Sequence, residues 1–529
     1  MPASKRNRKL LFGKEKIIET RSMNITKSIM SGYIFFTLVI ITSKGWAQDS
    51  WNSKYVKIKA DGKLEYLADA LGNTIPDFSG VGYERNRKDL PVVPVVKTIS
   101  STGGDDQQLI QSAIDEVSKL PVASNGFRGA VLLKKGVYKI AGTIRIRASG
   151  IVLRGEGDET KLIAIGKGQR NLLSVGGSGD IIGIDSSRRK ITDKYVPVGA
   201  ESFVVDNVAG LKVGDSIILY RPAVQKWIDD IKMNEIEVRD STSRQWDIAE
   251  YGLQYERVIT KLEKNKVFID NPVVMAMEDK YGGGEIYRYR FDGRIWNVGV
   301  ENLLCESEYA SNEDEDHGWT AVYFNRVVNG WATQVTAKYF GYSCVNLGYQ
   351  SRNITVTYCK YLEPKSKITG SRRYSFNNDG QLNLFMYCFA SEGRHDYVTG
   401  ARVCGPNVFF DCKAEKTNAD IGPHHRWATG TLYDNIVTDG EINVQDRGNW
   451  GTGHGWAGAN QVIWNCTVKR AAIQNPWASA VNYVIGLNGQ KYEGRLKGRP
   501  DAIWEGQNKP GLNPASLYLA QLKIAEKKK

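Results

Sequence analysis

From about residue 96 onward, short apolar runs alternate with Gly, Asn and Asp, as at 129–133, 136–140, 143–146 and 151–154. Runs of four or five residues between turn formers predict β-strands, and their steady recurrence fits a solenoid, a sandwich or a barrel. One segment breaks the rhythm. In 105–120 (DDQQLIQSAIDEVSKL), Leu109, Ile110, Ala113, Ile114 and Val117 fall on one face behind an Asp cap, which predicts an amphipathic helix. Such a helix is suited to closing the open end of a solenoid.

A second pattern separates the three β architectures. Six times between 317 and 458 the chain reads His or a substitute, any residue, an aromatic, then a small or short apolar residue. The copies begin at His317, Phe340, Arg372, His395, His425 and His454. They start 23, 32, 23, 30 and 29 residues apart, and four of the five histidines occupy the first slot. A period of this length marks stacked coils. Residues scattered over the sequence then become a ladder with rungs about 4.8 Å apart. Outward aromatics would make Trp319, Tyr397, Trp427 and Trp456 a stacking platform. Inward aromatics would make them a core stack and expose Arg373, Asp396 and Arg426 instead. Both orientations remain open on the pattern alone.

Between 196 and 290 the rhythm lapses into longer polar stretches holding Trp227 and Trp246, which predicts a β-rich insertion. Residues 48–95 form an N-terminal segment, 96–490 the coiled domain, and 491–529 a Gly- and Pro-containing tail. The first 47 residues carry a basic start, a short apolar core at 33–41 and small residues at Gly45 and Ala47. They predict a signal peptide cleaved after Ala47, with an uncleaved membrane anchor as the rival reading. The expected mature protein is exported (periplasmic, cell-surface or extracellular), monomeric and without a membrane span.

Removing that leader lowers the net charge from +13 to +6. The excess that remains suits an acidic partner, whereas no basic run carries a nucleic-acid motif. Of seven cysteines, Cys359, Cys388, Cys412 and Cys466 recur once per coil after an apolar run. That placement predicts buried free thiols rather than disulfides, and no spacing suggests zinc.

The helix opening at Asp105-Asp106-Gln107, the Gly136-Val137-Tyr138 strand followed by IVLRGEG at 151–157, and the Asn-rich turns together resemble the pectate-lyase-like superfamily. The resemblance covers about residues 96–490. It implies an all-β fold, a single-stranded right-handed parallel β-helix (solenoid) with an N-terminal capping helix and a β-rich insertion. The segments around 315–319, 393–397, 422–427 and 453–456 are similar to secreted bacterial proteins described as pectate-lyase-like, of unassigned substrate. The superfamily includes polysaccharide lyases, glycoside hydrolases and adhesins, so function has to come from the site.

Elimination at a uronate needs a carboxylate partner, a base for the C5 proton and an acid for the C4 oxygen. The candidate bases are His395 and His425, the acids Tyr397 and Tyr374, and the carboxylate clamps Arg402 and Arg426. Arg373, Arg394, His424, His454, Trp427, Trp456, His317 and Trp319 are candidate substrate contacts. Calcium assistance occurs in the superfamily, and the acidic run holding Glu313, Asp314 and Asp316 supplies candidate ligands, although a solvated acidic loop is the preferred reading of the run. The expectation is a secreted lyase acting on an acidic polysaccharide. The alternatives are a hydrolase using a pair drawn from Asp379, Glu392, Asp396, Asp420 and Asp434, or a non-catalytic carbohydrate-binding protein. The coils starting at 372, 395 and 425 alone carry a charged second slot, which places the expected site there.

Overall fold

The structure, a computed structural model, describes residues 50–86 and 88–527, and the expected leader lies outside them. One parallel sheet of 27 strands dominates. Its strands stack three to a coil. Phe376–Asn378, Leu384–Met386 and Phe389–Ser391 form one coil, and Tyr397–Thr399, Asn407–Phe410 and Lys413–Glu415 lie on it, with Phe376 beside Tyr397, Leu384 beside Val408 and Phe389 beside Lys413. The fold is a parallel β-helix. No helix among the described residues is long and apolar enough to cross a membrane.

The coil bends at residues in the left-handed backbone region. Tyr358, Tyr387, Asp411, Asn435 and Asn465 have φ of 54°, 56°, 48°, 56° and 52°. Each precedes an inward residue, Cys359, Cys388, Cys412, Ile436 or Cys466, and all five are buried in the coil interior. Asn is among the residues for which left-handed backbone costs least, and Asn465 also donates to the Asn435 side chain at 2.8 Å. All seven cysteines are free and buried. Interior rings stack on their counterparts one coil away, Phe376 on Tyr397, Phe385 on Phe409 and Phe409 on Tyr433, at 5.6, 4.8 and 5.3 Å between centroids. Truncating one such ring costs about 3–5 kcal/mol.

Helix α1 (Gln107–Ser118) buries Ile110, Ala113, Ile114 and Val117 against the first coils. Asp106 occupies its N-cap position without capping it. Its carboxylate instead accepts from Ser101 Oγ at 2.8 Å and from Thr102 N and Oγ1 at 2.9 and 2.6 Å, so it ties down the preceding loop.

The insertion is a layer of its own, an antiparallel sheet that includes Ser216–Arg221, Leu253–Glu263 and Glu285–Arg290 and also takes in Ile182–Gly183 and Arg189–Lys190. Helix α2 (Gln225–Asp230) belongs to it and buries Trp227 and Ile228. The tail continues the stack, with Ile503–Glu505 pairing on Tyr483–Ile485. It ends in helix α3 (Leu517–Lys527), whose Gln521 accepts from Phe78 N of the N-terminal segment at 2.9 Å.

Candidate functional site

Strand register decides which repeat copies meet. Trp319-Thr320 stacks on Tyr342-Ser343 as the spacing predicts, because Thr320 pairs with Ser343. After that the copies slip. Phe376, not Tyr374, lies beside Tyr397, and Val398 lies beside Gly422, six residues out of the expected register. Ala428 pairs with Gly458 rather than Ala457. A slip of one residue turns a side chain to the opposite face. The six copies therefore do not form one ladder.

Several expected site residues are consequently structural. Tyr397, a candidate acid, points into the coil and donates its hydroxyl to the Lys413 and Cys388 carbonyls at 2.6 and 2.9 Å. Trp427 and Trp456 lie beneath the insertion. Trp427 packs edge-on to Trp227 at 5.0 Å, and Trp456 Nε1 donates to the Ile231 carbonyl at 2.9 Å. Neither ring is a platform for sugar, because the insertion needs both to bury its own aromatic face. His317 is sealed at a corner, where Nε2 donates to the Lys365 carbonyl (2.7 Å) and Nδ1 accepts from Ser307 Oγ (2.9 Å). Trp319 is half-buried beside it, with its ring over Gly341, where a Cβ would fall 2.3 Å from a ring atom. Arg373 is buried and spends its guanidinium on Ser366 and the Glu392 carbonyl, and Asp396 is buried against Ser375 Oγ at 2.6 Å. The acidic run folds on itself. Asp314 accepts from Ala310 N and Asp316 N (2.8 Å each), Asp316 from Gly168 N (2.9 Å), and Glu315 pairs with Arg372 at 2.6 Å.

The remaining histidines converge. Tyr374 Oη lies 3.1 Å from His424 Nε2. The Tyr374 ring is edge-on to His395 at 5.0 Å, and His395 is 4.6 Å from His424. His424, His425 and His454 form a triangle with centroid separations of 5.1, 5.1 and 4.8 Å. These side chains come from four successive coils. Close approach at the far end depends on Gly451 (φ 54°), where a Cβ would lie 2.1 Å from the His454 ring.

His395 is closed to solvent, with Nδ1 donating to the Asp420 carbonyl at 2.7 Å. That burial corrects its expected role as the base. His424, His425 and His454 are half-buried. The Nδ1 atoms of these three, with His395 Nε2 and Arg394 Nη1, are buried polar atoms that meet no hydrogen-bond partner. An unpaired buried polar atom costs about 1–3 kcal/mol, so such a concentration is uncommon outside functional sites.

Burial holds all four imidazoles neutral, and neighbouring cations reinforce it. Desolvation lowers His395 to about 4, with Asp420 opposing and Arg394 and Arg447 assisting. Burial lowers His424 well below the ordinary value, aided by the other imidazoles and Arg447. His425 and His454 fall to about 3, again chiefly by burial, with Arg426 and Arg447 contributing to both and Arg402 to His425. Burial raises the Tyr374 phenol, against the pull of Arg394 and Arg447. Arg426 is held by Thr452 Oγ1 at 2.6 Å, while Arg402 stands farther out, 3.5 Å from Glu250 and over the Tyr251 ring.

Two contributors fall between repeat copies and escaped the pattern. Arg447 forms a buried ion pair with Asp420, which in turn orients His395. Both lie in polar stretches, EKTNAD at 415–420 and QDRGNW at 445–450, that do not set them apart in the sequence. The carboxylates considered for hydrolysis are each engaged separately. Asp434 binds Ser516 Oγ and Tyr518 N, Asp379 accepts from Asn377, and burial raises Asp396 and Asp434 to about 7 and Asp379 to about 6. Among the described residues, no group of three or more His, Cys, Asp and Glu side chains is arranged to hold a metal ion.

No family model and no curated protein matches the sequence. Among solved structures, the chain is similar to an alginate lyase from Paenibacillus sp. str. FPU-7, at 10% identity over 79% of this chain and 100% of that one, with a TM-score of 0.39. It is similar to the tailspike protein gp49 from Pseudomonas phage LKA1, at 13% identity over 76% and 74%, with a TM-score of 0.33. It is also similar to a mutant tailspike protein of E. coli bacteriophage HK620 in complex with pentasaccharide, at 11% identity over 83% and 58%, with a TM-score of 0.38. At this level the correspondence supports no statement about chemistry.

Proposed function

We propose that the cluster around Tyr374 cleaves an acidic polysaccharide by β-elimination at a uronate, outside the cell. The supporting observation is the meeting of Tyr374 with four neutral imidazoles and a shell of arginines, the three kinds of group this reaction needs. Arg394 and Arg426 attract the uronate carboxylate and stabilise the charge that develops when C5 loses its proton, with the buried Arg447–Asp420 pair behind them. His425 or His454 accepts that proton, being half-open where His395 is closed. Tyr374 passes its proton to the C4 oxygen as the C4–O bond breaks and recovers one through His424, 3.1 Å away.

An imidazole that protonates near pH 3 is a weak base at neutral pH. The substrate corrects this, because a carboxylate placed among the arginines offsets the positive field that, with burial, depresses the histidines. The base is thus strengthened by the anion it acts on. Calcium has no step in this scheme, since the arginines occupy the role a cation would fill.

The test incubates the mature protein with a panel of uronate polymers and follows ultraviolet absorbance of the C4–C5 double bond. A rise that His425→Ala and His454→Ala together abolish supports the reading. Chain shortening without that absorbance, or binding without shortening, overturns it in favour of a hydrolase or a binding protein.

A further inference from the structure

A cavity of about 460 Å³ lies where the N-terminal segment, the insertion and the last coils meet. Its volume is typical of small-ligand sites. Its aromatic walls are Trp477, Tyr195 and Tyr483, and Trp477 is 38% exposed although it is large and apolar. Two polar lining atoms are buried and meet no partner, Glu278 Oε1 and Ser479 Oγ. The other Glu278 oxygen is 3.3 Å from Lys280, and Glu278 itself is 5% exposed. Ser479 is held at a φ of 67°, a conformation unusual for serine.

Aromatic walls combined with an unpaired carboxylate oxygen and a free hydroxyl suit a ligand with apolar C–H faces and several O–H donors. The charge of the lining narrows the choice. Asp69 is also there, kept ionised by the amides of Leu71 and Asn73 and by the Asn73 side chain. Lys280 lines it too, and Lys232 and Arg499 stand over the Trp477 ring at 4.5 and 5.9 Å, so the walls carry both signs. The unpaired Glu278 oxygen accepts from an O–H group and repels a carboxylate set against it, which favours a neutral unit at that point.

We infer that this cavity is a binding subsite for a neutral, hydroxyl-rich sugar unit, with the Trp477 region as its apolar wall and Glu278 Oε1 and Ser479 Oγ as its hydrogen-bonding groups. The site is separate from the histidine cluster but close to it in structure. Lys232 lies over the Trp477 ring at 4.5 Å, and the preceding residue, Ile231, receives the Trp456 indole two residues beyond His454. Nothing in the inference depends on the elimination chemistry.

Binding of glucose, galactose, xylose, rhamnose and cellobiose to the mature protein is measured by ligand-observed NMR and calorimetry, with galacturonate and mannuronate as anionic counterparts. At least one neutral sugar is expected to bind, about tenfold more weakly in Trp477→Ala. Glu278→Gln, which keeps the volume, is expected to weaken it as well, with thermal melting reporting whether each variant is folded. His424→Ala is expected to leave this binding intact while slowing elimination, so failure of one idea is distinguishable from failure of the other. Absence of binding by every neutral sugar, preference for the uronates, or binding unaffected in both folded cavity variants overturns the inference.

Discussion

Replacing Arg447 by Met tests the electrostatics of the histidine cluster without needing a substrate. Arg447 contributes to lowering all four clustered imidazoles and pairs with Asp420, whose carboxylate lies 3.5 Å from His395 Nδ1. Its removal takes away a repelling cation and leaves the Asp420 charge free to attract the imidazolium. His395 is then expected to titrate above its parent value of about 4 and still below 6.5, because burial, the larger cause, remains; each unit of rise is worth about 1.4 kcal/mol. Because the chain contains five histidines, imidazole NMR resonances can be followed individually across pH. In the parent protein the folded value lies below the unfolded one. The corresponding stability is therefore complete above pH 6.5 and is lost, by about 3 kcal/mol from His395 alone, as pH falls toward 4. In the variant that acid-sensitive window narrows. At neutral pH the variant is also less stable, by about 3 kcal/mol, because Asp420 is left buried without its partner. A His395 that titrates near 6.5 in the parent, or still near 4 in Arg447→Met, refutes the account.

Tyr374→Phe is expected to lower kcat on a cleavable uronate polymer at least about a hundredfold with KM nearly unchanged, because the ring stays against His395 while the transferable proton is lost. Trp456→Ala is expected to cost about 3–5 kcal/mol in urea unfolding, and an unchanged midpoint would contradict the packing of the insertion described above. Treatment with a chelator is expected to leave the elimination rate within about twofold, checked against a sample resupplied with calcium; recovery of a lost rate on resupply would assign the metal a role.

The coil repeat was legible because stacking imposes period and strand length on the sequence, and the cysteine positions followed from the same constraint. The facing of the site residues was not. The expected ladder assumed one register, yet turns of different length let Phe376 meet Tyr397 and turned Tyr374 away from the coil stack to lie beside His424. The burial of Trp427 and Trp456 was invisible for another reason, since it depends on an insertion whose contacts lie about 200 residues away in sequence. Charged second slots pointed to coils that contribute to the histidine cluster but not to its atoms, as Arg373 and Asp396 turned inward and Arg447 lay outside the repeat.

Tyr374, His395, His424 and His454 come from four successive coils, whose strands are stacked about 4.8 Å apart. The Tyr374 and His424 rings nevertheless lie only 5.4 Å apart, where two steps of the stack alone would separate them by about 9.6 Å. The turns between strands therefore gather side chains from several coils toward one point instead of spreading them along the axis. Adding or deleting a whole coil between residues 374 and 454 would preserve the strand pairing of the stack and still disperse the acid and the base.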